Sequence, residues 1–382
     1  MSSKTTIYIS PSRNKAYQAC DRLGFGSYIF NGNGISREGD GPLYFNVGHA
    51  VHGGCKLLWQ GQGLDEALAS IPDHFVDVKP ETFKERTALQ EAMDLSTALV
   101  YVWYKFRYDT LITQYEPILF EQPMEVTLFE DEQVVIKLYT ILDALLRERD
   151  TGNLMAWELK TTKTVNDKWA KAWDHDIQIV LEHVAAESLR DALGLEAPVS
   201  GVMVEALLKG SQRSYKDGIT RHATSLIWPY TRASPTKSTE VSYKYKNWRE
   251  GWSRSALASS CMKGGLMGWL ESLNDEQLIE HTRTVDPIRL PAQERESFLR
   301  QIVASARREH QAVLGLPKDE SSDEYWSYVD EHWAQSTKSC HYPWDCAMLD
   351  FCWSSGVRAD PLGSGIYKAR KSIEERIKEQ AE

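Results

Sequence analysis

Apolar residues recur along this chain in two rhythms. Steps of three and four predict helices at Gly48–Trp59, weakened by Gly53 and Gly54, and at Met93–Tyr108, which is long and rich in aromatics. Strand-like runs follow at Ile118–Phe129, Val134–Leu146 and Leu154–Thr162. The turn-like segments Glu130-Asp131-Glu132 and Asp150-Thr151-Gly152-Asn153 divide them and imply hairpins. Trp169, Trp173, Ile177, Val180, Leu181 and Val184 then mark one helix over Val165–Leu193, with Gly194 as its stop signal. Val199–Leu208 reads as a further buried strand, able to return parallel by a crossover. Asp275–Arg308 and the tail from Tyr367 onward read as helical and acidic. The expected fold class is α/β, a mixed central sheet flanked by helices, with a helical C-terminal region.

Composition narrows the classes. The chain has 382 residues, a net charge of −10 and 42% hydrophobic residues, which suits a sizeable core and excludes a disordered, collagen-like or disulfide-dense chain. No apolar run of about 18 residues occurs, so no membrane span is expected. The first residues lack the apolar core of a signal peptide, and the expectation is a cytoplasmic protein, bacterial or, if phage-encoded, in the host cytoplasm. A net negative charge argues against indiscriminate coating of nucleic acid, but a local basic groove is compatible with it. Lys209–Arg254 is such a place. It carries ten basic residues against three acidic, with Tyr215, Trp228, Tyr230, Tyr243, Tyr245, Trp248 and Trp252 interleaved. Cations neutralise phosphates and aromatic faces stack unpaired bases, so this stretch is a candidate strand-binding surface.

The candidate chemistry lies on the predicted strands. Asp143 stands near the end of one, and Glu158-Leu159-Lys160 ends a strongly apolar run on the next. Residues two apart on a strand share a face, so Glu158 and Lys160 can share a site that Asp143 approaches from the neighbouring strand. Charges at the end of a buried run cost free energy unless paired or metal-bound. Two carboxylates suit Mg2+ or Mn2+, and an adjacent lysine can aim or deprotonate a water and offset charge on a phosphate. Cys340, Cys346 and Cys352 are bunched as C-x5-C-x5-C, and Cys20 stands near the start. In a reducing compartment such a set suits an iron–sulfur cluster, zinc or unliganded thiols, and spacing alone leaves all three open.

Taken together, these motifs resemble the PD-(D/E)XK nuclease superfamily, in the branch of RecB-type and AddB-type exonuclease domains, the iron–sulfur nuclease of CRISPR spacer acquisition and many phage recombination nucleases. Ser10-Pro11-Ser12-Arg13 through Tyr17 to Cys20 is similar to that branch's opening, which ends in its first cluster cysteine. Gly48-His49-Ala50-Val51-His52 is similar to its G-x-x-x-H helix, and the resemblance makes His52 a metal ligand, with His49 a neighbour on roughly the same side. Asp143 matches the strand aspartate, Glu158-Leu159-Lys160 the (D/E)-x-K, and Gln178 the helix glutamine. The order is the family's and spans Ser10 to Cys352. Three departures stand out: Asp21 where the family often has proline, Glu182 where it often has tyrosine, and five residues instead of two between Cys340 and Cys346.

The resemblance implies a metal-dependent DNA exonuclease of recombination, repair or phage DNA processing, acting on single- or double-stranded ends and leaving 5′-phosphate products. His52, Asp143, Glu158 and the Leu159 carbonyl would hold Mg2+ or Mn2+, with Lys160 and Gln178 beside them. Cys20, Cys340, Cys346 and Cys352 would hold a [4Fe-4S] cluster, with zinc as the alternative. A helicase or recombinase is the implied partner. The competing readings are a non-cleaving, nuclease-like DNA-binding protein and a restriction-type endonuclease. The chain divides into an N-terminal segment (1–47), a nuclease core (48–208), a basic aromatic lobe (209–254) and a helical C-terminal region (255–382).

Overall fold

The computed structural model describes residues 4–38, 42–163, 165–210, 212–216, 219–224, 226–227, 265–340 and 346–381. Most of the basic aromatic stretch and Cys261 lie outside them. In chain order the elements are β1 (Thr5–Ile9), α1 (Pro11–Ala19), α2 (Asp21–Tyr28), β2 (Ile35–Arg37), α3 (Pro42–Trp59), α4 (Leu64–Ala69), α5 (Phe83–Trp103) and α6 (Asp109–Gln114). The strands β3 (Tyr115–Glu130), β4 (Val134–Glu148) and β5 (Leu154–Thr162) follow, then α7 (Asp167–Ala172), α8 (Ile177–Ala192) and β6 (Val199–Leu208). Next come β7 (Gln212–Lys216), β8 (Ile219–Thr224), β9 (Thr282–Ile288), helices Ala292–Leu314 and Asp323–His332, and β10 (Tyr367–Ala369).

The central sheet has six strands in the order β1-β4-β5-β6-β9, with β3 also paired to β4. It is mixed. β3, β4 and β5 are antiparallel neighbours, and β5 to β6 is a parallel crossover through α8, as the hairpin signals and helix rhythm predict. Apolar side chains cover both faces. Val51, Cys55, Leu99 and Trp103 from α3 and α5 pack on Trp157 and Leu159. On the other face Ile179, Leu181 and Ala186 from α8, with Ile302, pack on Leu154, Ala156 and Val204. The alternation along β5 assigns its odd positions to one core and its even positions to the other.

Three expectations are corrected, and one strand was not expected. The single helix over Val165–Leu193 is broken, because Asp176 accepts the Gln178 N–H at 2.8 Å and caps a new helix, α8. The helix at Met93–Tyr108 starts earlier, at a Thr82/Glu85 capping box, and passes into a π-turn over Tyr104–Tyr108. Thr5–Ile9 is a strand the rhythm did not announce. The C-terminal region is not wholly helical: Thr282–Ile288 is an edge strand on β6, where Pro287 is tolerated at a register shift, and Tyr367–Ala369 pairs with β2.

That last pairing joins the chain's two ends. Phe25, Phe30 and Ile35 share a third core with Tyr325, Val329, Trp333, Met348, Phe351 and Tyr367. Described residues 25–37 and 325–369, far apart in sequence, thus pack together.

Candidate active site

The site lies where two strands share one edge of a third. β3 pairs with β4 along nearly its whole length, so β1 and β5 must share the opposite edge. β1 covers residues 134–138 and β5 covers residues 144–147. Among the described residues, neither strand's ladder extends over residues 140–143. β5 leaves β4 after Trp157 and stays with β6 from Glu158 to Thr162. The result is a notch in the sheet. Asp143 bridges it, its Oδ2 accepting the Leu159 N–H at 2.9 Å in place of a ladder bond.

Four elements supply the side chains the sequence singled out. His52, on the flank of α3, brings Nδ1 within 3.4 Å of Asp143 Oδ1 on β4. Glu158 and Lys160, on one face of β5, form an ion pair with each other. Gln178, in the first turn of α8, donates from Nε2 to Glu158 Oε1 at 2.8 Å and to Glu182 Oε1 at 2.5 Å. The structure therefore brings His52, Asp143, Glu158, Lys160 and Gln178 together. Leu159 contributes its N–H, while its side chain is buried in the core. His49 is exposed and has His74 as its electrostatic neighbour. Sequence reasoning misses two participants. Glu182 follows Gln178 by one helical turn, a spacing that places it on the same face. Lys15 on α1 carries no sequence signal beyond its place about a turn and a half before Cys20.

Burial and mutual charge set the protonation states. Burial disfavours a charge on Asp143, yet His52, Lys160 and the Leu159 N–H outweigh it and hold the carboxyl below its ordinary range. Glu158 goes the other way, pushed up by burial and by Asp143 against the pull of Lys160. Glu182 is pushed far up, first by burial and then by Glu158. Burial opposes the charge on His52 and Lys160, but the carboxylates around them raise both. Lys160 is an ammonium here, suited to aiming and neutralising rather than to taking a proton.

Carboxylates are the donors that hard divalent ions such as Mg2+ and Mn2+ prefer, and an imidazole suits softer first-row ions. Three acidic groups (Asp143, Glu158 and Glu182) crowd one buried place, and Glu182 Oε2 is buried with no hydrogen-bond partner. That excess of acceptors suits a cation in kind. Among the described residues, however, no three His, Cys, Asp or Glu side chains are arranged to hold an ion. Lys160 and Gln178 both bind Glu158 Oε1.

The cysteines converge elsewhere. Cys20 terminates α1, and the Cys346 and Cys352 thiols feel Cys20 and Cys340 electrostatically, so all four share one corner. None is in a disulfide. Burial pushes the Cys352 thiol up to about 12, with Arg22 opposing and the other three cysteines adding to the rise. The Ser336 N–H points at Cys20 Sγ at 3.2 Å, a donor of the type that steadies a bound thiolate. Thiols are the donor kind that a metal–sulfur group takes, but among the described residues no three of these cysteines are arranged to hold an ion.

Among the described residues no helix is long and apolar enough to cross a membrane. Glu205, the other deeply buried acid of the sheet, is fully engaged by the Trp103 and Trp157 indoles, Arg107 and Thr284, and serves packing. Compared with known proteins, the chain matches no protein-family model and no curated sequence.

Proposed function

We propose that this protein is a Mg2+- or Mn2+-dependent DNA nuclease, an exonuclease acting on DNA ends in recombination, repair or phage DNA processing. One observation carries the reading. His52, Asp143, Glu158 and Lys160 come from one helix and two strands and meet at the notch in the sheet. A PD-(D/E)XK core is the arrangement this reading assigns to the sheet.

In this reading His52, Asp143, Glu158 and the Leu159 carbonyl hold the ion. Bound there, a divalent cation supplies a water of lowered pKa and neutralises charge on a phosphate. The chain's own residues do the rest. Asp143, held below its ordinary range by the groups around it, is ionised and ready to accept. Gln178 fixes the Glu158 carboxylate. Lys160, held as an ammonium, donates toward the attacked phosphate and offsets its developing charge. The products follow the resemblance, 5′-phosphate ends. The basic aromatic stretch 209–254 is the proposed strand-binding surface, and Cys20, Cys340, Cys346 and Cys352 hold a [4Fe-4S] cluster, or zinc, as a structural staple. A helicase or recombinase is the proposed partner.

The test is end-labelled linear and closed circular DNA with Mg2+, Mn2+ or EDTA. Linear DNA is expected to be shortened with either ion and spared by EDTA, and Lys160→Ala should lose the activity while still binding DNA and melting within a few degrees of the parent. Loss of label in EDTA, or an active Lys160→Ala, would overturn the reading. DNA binding without cleavage under every condition would select the non-cleaving alternative.

A further inference from the structure

Helix α1 runs from the notch to the cysteine corner. It begins at Ser10, where β1 ends opposite Leu138, and it finishes at Cys20. Midway, Lys15 reaches across to α8. Its Nζ donates to Gln178 Oε1 at 2.8 Å, lies 3.1 Å from Asp176 Oδ2 and sits 5.2 Å from the centre of the Trp173 ring. Gln178 is buried, and its amide can be placed two ways, with oxygen and nitrogen exchanged. The neighbours decide between them. An ammonium has only protons to give, so Lys15 demands the amide oxygen. Glu158 and Glu182 offer acceptor oxygens, so they demand the NH2 group. Without the Lys15 ammonium, the amide oxygen loses its donor, and the amide is held from one side only, by Glu158 and Glu182.

We propose that Lys15 is a positioning residue: it locks the Gln178 amide so that its NH2 group orients Glu158, and so couples the cysteine-tied N-terminal segment to the candidate site. The consequence for ion binding rests on the nuclease reading above, whereas the locking of the amide does not. The helix that carries Lys15 is anchored at its far end by Cys20, whose backbone N–H also bonds the Ala16 carbonyl at 3.0 Å. Loosening of the cysteine corner therefore has a direct path to Glu158: α1, Lys15, Gln178, carboxylate.

The first measurement is made on the full chain without added metal. With glutamine labelled in its side-chain amide, the Gln178 NH2 protons are expected to be shifted and slow to exchange in the parent protein. Lys15→Ala should bring them toward solvent-like exchange, and Lys15→Arg, which keeps the donors, should restore most of the protection. An unchanged Gln178 signal in Lys15→Ala would overturn the proposal. The second measurement is Mn2+ titration followed calorimetrically. Lys15→Ala is expected to weaken binding about tenfold, the lower end for groups one shell out from an ion, with kcat lowered and KM for DNA little changed. A change confined to KM and its salt dependence would make Lys15 a phosphate contact and overturn the positioning role. If the parent chain binds no ion and cuts no DNA, the nuclease reading falls, and the amide signal still decides what Lys15 does.

Discussion

A lysine two positions after a glutamate is ordinary on an exposed strand, where the pair is worth little. Glu158 and Lys160 differ because the strand that carries them leaves its neighbour at Trp157 and buries the carboxylate among other acids. A second charge pair shows the same physics away from the notch. Arg22 is buried at 1% exposure beside the cysteine corner, donating to the Trp333 and Val329 carbonyls and to Asp330 Oδ1 at 2.5 Å. Burial pushes the Asp330 carboxyl up, but Arg22 and then Arg358 outweigh it and hold the group below its ordinary range. A depressed carboxyl stabilises the fold above its unfolded pKa and loses that contribution as pH falls through the folded one. Asp330→Asn should therefore lower stability by about 1 kcal/mol at neutral pH, less than for a fully buried pair because Asp330 is half exposed. In thermal melts from neutral to strongly acid pH, the gap between parent and variant should hold above about pH 5 and shrink progressively below about pH 4. A gap undiminished at the acid end would mean that the asparagine disturbs packing instead.

At the scale of elements, the helix that delivers His52 shows why local propensity misleads. Two adjacent glycines weaken a helix by roughly 1 kcal/mol each relative to alanine, yet α3 runs straight through Gly53 and Gly54. The explanation is contact. A Cβ on Gly54 would meet Val100 Cγ2 at 2.8 Å, and a Cβ on Gly53 would meet the His74 ring at 2.5 Å. Val100 is fully buried on α5 and β-branched, so it has no free rotamer to retreat to. Gly54→Ala should thus destabilise by about 1–3 kcal/mol net of its gain in helix propensity, measured by urea unfolding. It should also weaken any ion bound at His52, because the helix must move away from α5. A stabilised variant would show that α3 and α5 have room between them. The strands β3 to β6 were legible because their alternation matches a sheet with a core on each face. Thr5–Ile9 and Thr282–Ile288 were not, being short, and their pairing is decided by distant strands that a local rhythm cannot register.

At the scale of the molecule, five side chains that meet at the notch could be read from the sequence as a site, but Glu182, Lys15 and the notch itself could not. Asp143, Glu158 and Lys160 stand on strands whose order and direction the hairpins announced, and His52 and Gln178 followed from the order of motifs. That β1 and β5 would share one edge of β4, leaving residues 140–143 between their ladders, depends on β1, which the pattern hid. The same holds for the coupling of the two ends. Cys20 and Cys340 are about 320 residues apart, yet one core and one pair of strands already hold those ends together. A metal–sulfur group across Cys20, Cys340, Cys346 and Cys352 would therefore reinforce a contact that apolar burial begins. Closing so long a loop can stabilise by up to about 4–5 kcal/mol in the chain-entropy account, and less here, since the ends are partly restrained without it. Protein purified anaerobically is expected to carry iron and absorb near roughly 400 nm. Cys346→Ser should lose that band and melt several degrees lower, and Cys55→Ser, whose thiol packs between α3 and α5, should keep the band even if packing suffers. Zinc in place of iron would retain the staple and replace the cluster. No metal at all, with equal melting of the parent and Cys346→Ser, would leave the third core alone holding the two ends together.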